Sequence, residues 1–273
     1  MFDSQLNNTV KVGIFEIKMN SNQSPDRRMQ QVVDTLHRIP IGQVDLVILP
    51  ELWILGAFDY AANANFNQSK VALFLQECAI ISALKGFYLH SGSHPIRDES
   101  KCLFNTAVVF DNDGNLVCSY EKIHLFGFQK GEKSIFQAGN KIGIFSLNGI
   151  LAGVSTCYDL RFPELYVAQV RKGAQILLVS AAWRTKTIKQ WKHLMVARAI
   201  ESQAFVVGCN ASGISAGVKL GSSSLAIDPH GTELELVSKY GLLIASLNIS
   251  DLQKYRLEFP VIKDKRDCFV FKT

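Results

Sequence analysis

Cys157 is the residue most able to do covalent chemistry, because it stands where an apolar run gives way to a helix start. The run 149–154 predicts a buried strand, and Pro163 with Glu164 is typical of a helix N-terminus. A thiol between a strand and a helix can act as a nucleophile at the carboxyl edge of a sheet, with the next backbone N–H available to an oxyanion. The alternative is a buried structural thiol, since free cysteines often serve as small core residues.

Two charged residues also follow apolar strand-like runs. Glu51, in "LVILPELW", would have its pKa raised by desolvation beside Trp53, which suits a general base; the alternative is a surface glutamate at a strand exit. Lys122, in "SYEKIHLFGF", lies among apolar and aromatic residues. It either extends its amine to water or is held near an acid as a cation.

The elements that must position these residues alternate between strands and helices, with hairpins among them. "DNDGN" at 111–115 is a strong hairpin turn. This mixture fits neither a purely parallel sheet nor a barrel, and it predicts two sheets packed face to face with helices outside, a four-layer α-β-β-α sandwich of the α/β class. Strands are predicted at 10–18, 44–50, 87–94, 105–111 and in several later runs, and helices at 24–39, 68–86, 163–173 and 187–203.

Composition excludes several classes of function. The net charge is +5 with no block of Lys and Arg, so we expect no nucleic-acid partner. The N-terminal segment has no secretory signal pattern and no apolar run is long enough to span a bilayer, so we expect a soluble cytoplasmic protein without a membrane partner. The six cysteines are scattered, which argues against a disulfide framework and a zinc site. His90 and His94 lack an acidic partner and are expected to be structural.

No linker, repeat or low-complexity segment divides the chain. We therefore predict one domain at 10–254 and a C-terminal extension at 255–273. The segment "EFPVIKDKR" places apolar residues beyond the last predicted strand, where they need a surface to cover them. This favours a homodimer or larger homo-oligomer, with the extension at the subunit interface.

Taken together, the motifs resemble one family. Glu in "LPE", Lys in "YEKIHLF" and Cys in "STCYDLRFPEL", in that order, are similar to the Glu-Lys-Cys triad of the nitrilase superfamily of carbon–nitrogen hydrolases. "WKHLMVARAIESQAFVVGCN" resembles the helix and strand that follow the family's nucleophile, and "GSSSLAIDPHG" and "FPVIKDKR" resemble its later segments. The resemblance runs over nearly the whole chain, and the ordered set is far more specific than any one piece.

The resemblance implies a role for each matching residue. Glu51 is expected to be the general base, Lys122 the cation that stabilises the tetrahedral oxyanion, and Cys157 the nucleophile. The N–H of Tyr158 would complete the oxyanion hole. Glu132, in "GEKSIFQAG", matches the family's second glutamate and would hold Lys122 and orient the substrate. These roles need neither a metal nor an organic cofactor.

Three further residues bear on the pocket. The family often places an aromatic residue of the substrate pocket where Trp183 stands. Several relatives that act on ω-amides have proline after that tryptophan, whereas this chain has Arg184. Arg161, four residues after the cysteine, is expected to form a structural ion pair with a carboxylate.

The predicted function is cysteine-dependent hydrolysis of a small linear amide to an acid and ammonia. Tyr158-Asp159 after the cysteine resembles the amidase branches rather than the true nitrilases, and "CYDLRFPE" most resembles enzymes acting on ω-amides of dicarboxylates such as 2-oxoglutaramate. N-carbamoyl compounds and deaminated peptides are alternatives within the class, and a non-catalytic binding protein on the same fold is another. A Cys-His-Glu glutaminase is disfavoured, because neither His193 nor His230 has a His-x-Glu setting.

Overall fold

The computed structural model describes residues 9–20, 23–127 and 131–266. Its strands are β1 (Thr9–Ile14), β2 (Lys18–Met19), β3 (Leu46–Ile48), β4 (Tyr88–Arg97), β5 (Leu103–Phe110), β6 (Leu116–Glu121), β7 (Gly143–Leu147), β8 (Ile150–Thr156), β9 (Ile176–Ala181), β10 (Phe205–Asn210), β11 (Ser212–Ser215), β12 (Val218–Gly221), β13 (Leu225–Ile227), β14 (Val237–Lys239) and β15 (Leu242–Asn248). Its α-helices are α1 (Pro25–Arg38), α2 (Tyr60–Ala64), α3 (Gln68–Lys85), α4 (Pro163–Arg171), α5 (Ile188–Ser202), α6 (Ile249–Glu258) and α7 (Val261–Asp264).

Two large sheets pack against each other. The larger has the strand order β14-β15-β1-β3-β4-β5-β6, and the second has the order β13-β10-β9-β8-β7. One hydrophobic core contains buried residues of both sheets, such as Val12 and Ile48 from the first and Val154 and Leu178 from the second. The predicted four-layer sandwich is confirmed. A small third sheet, β12-β11-β2, was not predicted, because a strand as short as Lys18–Met19 carries no readable periodicity.

The outer helices begin and end where their capping residues predict. Ser24 accepts a hydrogen bond from the N–H of Arg27 at 3.2 Å, and Pro25 opens α1. Gly86 ends α3 in a left-handed conformation, with φ of 69°. A second hydrophobic core lies under these two helices. Within the described ranges, no helix combines the length and apolarity needed to cross a bilayer.

The C-terminal part of the described chain is tied to the domain. Helix α6 crosses the predicted boundary between residues 254 and 255, and Arg256 donates hydrogen bonds to the carbonyls of Gln203 at 2.8 Å and Ala174 at 2.9 Å. Residues 267–273 of the predicted extension, including Cys268, lie outside the described residues. The extension therefore begins as a continuation of the folded domain.

Sheet order brings the candidate residues to one edge. Strands β3 and β4 are parallel neighbours in the first sheet, and β8 and β9 are parallel neighbours in the second. Glu51 follows β3, Cys157 follows β8 and Trp183 follows β9, so all three leave the carboxyl ends of parallel strands. Lys122 follows β6, which pairs with β5 on the same side. This edge is where ligand sites form in open α/β sheets.

Candidate active site

A buried lysine lies between two buried carboxylates. The Nζ of Lys122 donates to Oε1 of Glu51 at 2.6 Å and to Oε2 of Glu132 at 2.7 Å. Lys122 is 1% exposed, and both glutamates are 3% exposed. The alternatives of a water-facing Lys122 and of a surface Glu51 are therefore wrong, and the structure brings together three of the four predicted catalytic residues in one ion-paired cluster.

Further donors fix the two carboxylates. Asn105, fully buried on β5, donates its Nδ2 to Glu51 Oε1 at 3.1 Å and to Glu132 Oε1 at 2.9 Å. The backbone N–H of Ala182 donates to Glu51 Oε2 at 3.2 Å, and that of Phe126 donates to Glu132 Oε2 at 2.6 Å. Each carboxylate oxygen thus faces a donor, which compensates for its desolvation and fixes its orientation.

Cys157 sits at a sharp turn between β8 and a single 3-10 turn, Cys157–Arg161, that leads into α4. Its φ is 46°, a left-handed conformation that is rare for a residue with a side chain. Strain of this kind is typical of strand-to-helix turns that expose a nucleophile. The predicted placement of the thiol between a strand and a helix is confirmed.

The buried carboxylate of Asp159 holds this turn in place. Its Oδ2 accepts hydrogen bonds from the backbone N–H of Thr156 at 2.9 Å and from the hydroxyl of Tyr120 at 2.7 Å. Its Oδ1 accepts from the backbone N–H of His124 at 2.9 Å and lies 2.8 Å from the His124 Nδ1. Asp159 therefore ties the turn that carries Cys157 to the segment that carries Lys122.

The surroundings set opposite protonation states on the lysine and the cysteine. Burial by itself lowers the pKa of Lys122, but the charges of Glu132 and Glu51 outweigh it and hold the pKa well above its usual value. Burial, and after it the charge of Glu51, raises the pKa of the Cys157 thiol well above its usual value, although Lys122 opposes the shift. Burial also raises the pKa of Glu132. The resting site holds an ammonium and a neutral thiol at neutral pH.

These groups open into one pocket. Of its charged lining residues, Glu51, Lys122 and Glu132 are buried, whereas Arg161 and Arg184 are half-buried. The remaining residues around it are mostly aromatic or cationic: Ala57, Phe58, Tyr60, Phe126, Tyr158, Arg161, Ala182, Trp183, Arg184 and Thr187. Aromatic side chains around a few convergent polar groups are typical of a small-molecule site. Both predicted substrate-binding residues, Tyr158 and Trp183, therefore lie at the pocket.

Arg161 forms no ion pair with any acid in the described part of the chain, contrary to the prediction. Its Nη2 donates to Oε1 of Gln190 at 2.7 Å, and its guanidinium carbon lies 4.9 Å from the ring centre of Trp183 and 5.8 Å from that of Tyr158. The prediction was wrong because the chain turns Arg161 toward the pocket, where rings and an amide replace a carboxylate partner.

His90 and His94 are buried on β4 behind the site. Burial lowers the pKa of His90 to about 4 and that of His94 to about 3. The Nε2 of His94 lies 3.1 Å from the Ser91 hydroxyl. Within the described part of the chain, no group of three or more His, Cys, Asp or Glu is arranged to hold a metal ion. Both rings are neutral core residues at pH 7.

A family model described as carbon-nitrogen hydrolase matches residues 12–257, which is most of the chain. The protein belongs to the carbon–nitrogen hydrolase family. This carbon–nitrogen hydrolase is 36% identical over 266 residues to a 2-oxoglutaramate amidase of Paenarthrobacter nicotinovorans, with 93% of this chain and 89% of that protein covered. It is 34% identical over 224 residues to a 2-oxoglutaramate amidase of Bacillus subtilis (strain 168), with 81% and 85% covered.

Solved structures agree with this assignment. The hydrolase superimposes on a CN-hydrolase superfamily protein of Xanthomonas campestris with a TM-score of 0.84 at 26% identity, covering 97% of this chain and 99% of that one. The resemblance to the nitrilase superfamily, read from the three triad motifs and three further segments, is confirmed.

Sequence reasoning missed two residues that position the site. Asn105 is a lone amide inside the apolar strand "LFNTAVVF", and Asp159 is a lone acid within the turn after the cysteine. A polar side chain that interrupts a buried run needs a partner, because burying it alone is costly. That signal identifies both positions, but the partners come from strands distant in sequence.

Proposed function

We propose that this hydrolase cleaves small linear amides through a thioester on Cys157, releasing ammonia and an acid. The observation that carries the proposal is the buried ammonium of Lys122, held between Glu51 and Glu132 in the pocket that the thiol lines. A thiol, a carboxylate base and a fixed cation are the groups that acyl transfer from an amide requires.

In the first half-reaction, Glu51 takes the proton from the Cys157 thiol as the sulfur attacks the amide carbon. Because the pKa of this thiol is raised, the resting enzyme needs such a base. The developing oxyanion is stabilised by the ammonium of Lys122 and by the backbone N–H of Tyr158. Glu51 then returns the proton to the leaving nitrogen, ammonia departs, and the acyl group remains on sulfur.

In the second half-reaction, Glu51 accepts a proton from a water molecule that attacks the thioester carbon. The same cation and N–H stabilise the second oxyanion, and the thiol leaves with the proton. Glu132 keeps the Lys122 ammonium in place through both steps, because Glu132 accepts one of the two short hydrogen bonds that this ammonium donates. The products are the carboxylic acid and the restored thiol.

For the substrate, we propose an ω-amide of a dicarboxylate such as 2-oxoglutaramate. Two relatives at 36% and 34% identity bear the name of 2-oxoglutaramate amidase, and two arginines among the residues that line the pocket suit an acid group on the substrate. N-carbamoyl compounds and deaminated peptides are the competing substrates. No metal or organic cofactor enters this scheme.

The decisive experiment measures ammonia release from a panel of amides with wild-type enzyme and Cys157→Ala. The panel contains 2-oxoglutaramate, other ω-amides, N-carbamoyl amino acids and simple nitriles. We expect release from the ω-amides, and none with the alanine variant. Ammonia release only from N-carbamoyl compounds would show that they, and not ω-amides, are the substrates. Release with the alanine variant would remove Cys157 from the mechanism.

We also propose that the enzyme works as a homodimer or larger assembly in the cytoplasm. In support of assembly, Leu257 is 74% and Phe259 is 56% exposed in the single chain. Large apolar side chains at a chain end commonly mark a contact surface. Light scattering tests the assembly, and cell fractionation tests the location.

A further inference from the structure

Arg184 stands at the pocket, and none of the residues that the structure describes accepts a hydrogen bond from its guanidinium. It follows Trp183 at the exit from β9, is half-buried, and lines the pocket. Its guanidinium carbon lies 5.0 Å from the centre of the Phe126 ring. Among the described residues, no oxygen accepts a hydrogen bond from this side chain. Its five N–H donors are therefore available to a ligand.

The second pocket arginine is in a different situation. Arg161 already donates to Gln190 at 2.7 Å and lies over Trp183. These two contacts hold the guanidinium of Arg161 in one orientation at the pocket. Of the two arginines at the pocket, Arg161 is thus held by a hydrogen bond to Gln190, whereas Arg184 is held by none of the described residues through a hydrogen bond.

The charges of the pocket favour an anion beside its half-buried arginines. In the buried cluster, the one cation Lys122 faces the two carboxylates of Glu51 and Glu132, an excess of one negative charge with both ionised. That excess repels an anionic substrate. Arg161 and Arg184, half-buried where the cluster is buried, add two positive charges to the pocket lining and offset the repulsion. A neutral amide would need no such compensation.

We propose that Arg184 binds the carboxylate at the end of the substrate away from the scissile amide, and so sets the preference for ω-amides of dicarboxylates over neutral amides. A guanidinium suits this task because its planar pair of N–H groups matches both oxygens of a carboxylate. The inference rests on the proposed function and adds the residue that recognises the acid group.

The test compares two substrates that differ only at the group Arg184 would bind. Succinamate and butyramide have the same chain and the same amide, and the carboxylate of one is a methyl group in the other. We measure kcat/KM for ammonia release from both with wild type, Arg184→Gln and Arg184→Lys. Losing a hydrogen bond to a charged group predicts that Arg184→Gln lowers the ratio of succinamate to butyramide about 10- to 100-fold. Arg184→Lys, which keeps the charge, should lower it less.

Lys186→Gln is the matched control, because Lys186 lies two residues away, is exposed and does not line the pocket. It removes the same charge and should leave the ratio unchanged. A ratio in Arg184→Gln within about threefold of wild type would overturn the proposal, as would an equal fall in Lys186→Gln. If wild type hydrolyses butyramide and succinamate with equal kcat/KM, the proposed amidase activity stands and the proposed recognition of the carboxylate fails. If wild type hydrolyses no amide of the panel, the proposed function itself fails.

Discussion

Replacing Lys122 with methionine removes the buried ammonium from the site and keeps much of the side-chain volume. The ammonium makes two charge-assisted hydrogen bonds, at 2.6 Å to Glu51 and 2.7 Å to Glu132. Removing one partner of a buried ion pair costs about 3–5 kcal/mol, because the other charge stays buried without compensation. Lys122→Met should therefore lower the free energy of unfolding by about 4 kcal/mol.

The loss of stability should depend on pH in a defined direction. Burial raises the pKa of Glu132 and the charge of Lys122 opposes that rise, so without the ammonium the pKa of Glu132 rises further in the folded protein. An acid with a raised folded-state pKa stabilises the fold as pH falls toward its unfolded value of about 4.3. The deficit of Lys122→Met against wild type should therefore be largest at neutral pH and shrink toward pH 5.

Activity should fall for a separate reason. An ammonium that stabilises an oxyanion is worth about 10²–10³ in kcat. Lys122→Arg should recover no more than about tenfold of the lost kcat. A planar guanidinium cannot replace a compact ammonium at a position where the lysine is only 1% exposed.

Urea unfolding and ammonia release separate the two effects. Lys133→Met is the matched control, since Lys133 is adjacent to Glu132 but exposed. The double variant Lys122→Met/Glu132→Gln should recover part of the stability by removing one stranded carboxylate, without recovering activity. Lys122→Met within 1 kcal/mol of wild type at pH 7, or a fully active Lys122→Arg, would refute the reasoning.

Cys157→Ala should abolish ammonia release with an unchanged unfolding midpoint; a tenth of wild-type turnover would contradict its role. The buried rings of His90 and His94 have pKa values lowered to about 4 and about 3. As pH falls from 6.5 to 4, each should lower the free energy of unfolding by about 3 kcal/mol, because the unfolded chain takes up these protons first. If urea unfolding at a series of pH values shows that His94→Leu loses stability as steeply with falling pH as wild type does, this expectation is contradicted. Removing residues 256–273 should shift the assembly towards monomer or unfold it, and an intact chain that scatters as a 30.3 kDa monomer at high concentration would refute the assembly.

The order and type of the main elements follow from local sequence. Ser24 before Pro25 and Gly86 after Lys85 predict where two helices begin and end, because capping depends on the few residues at the terminus itself. The position of Cys157 between a strand and a helix also follows from neighbouring residues. Chemistry-bearing residues at the ends of apolar runs were therefore readable along the chain.

The partners of those residues were not readable. Glu51 and Lys122 are separated by 71 residues, and Asn105 bonds to Glu51 across 54. Their approach depends on the order β3-β4-β5-β6 within the first sheet, and periodicity records only which face of a strand is buried. The error on Arg161 has the same origin, since its partner Gln190 lies 29 residues away on α5.

The sequence by itself determined which residues could act as base, cation and nucleophile, because their types and local settings are properties of short segments. Only the tertiary structure decided the protonation state of Cys157, whose pKa is raised by burial and by Glu51, and the place of the Arg184 guanidinium at the pocket, where no described residue accepts a hydrogen bond from it. Burial and electrostatic coupling act through space over a few ångströms, and distances between residues far apart in sequence are set by strand pairing and packing rather than by any local pattern.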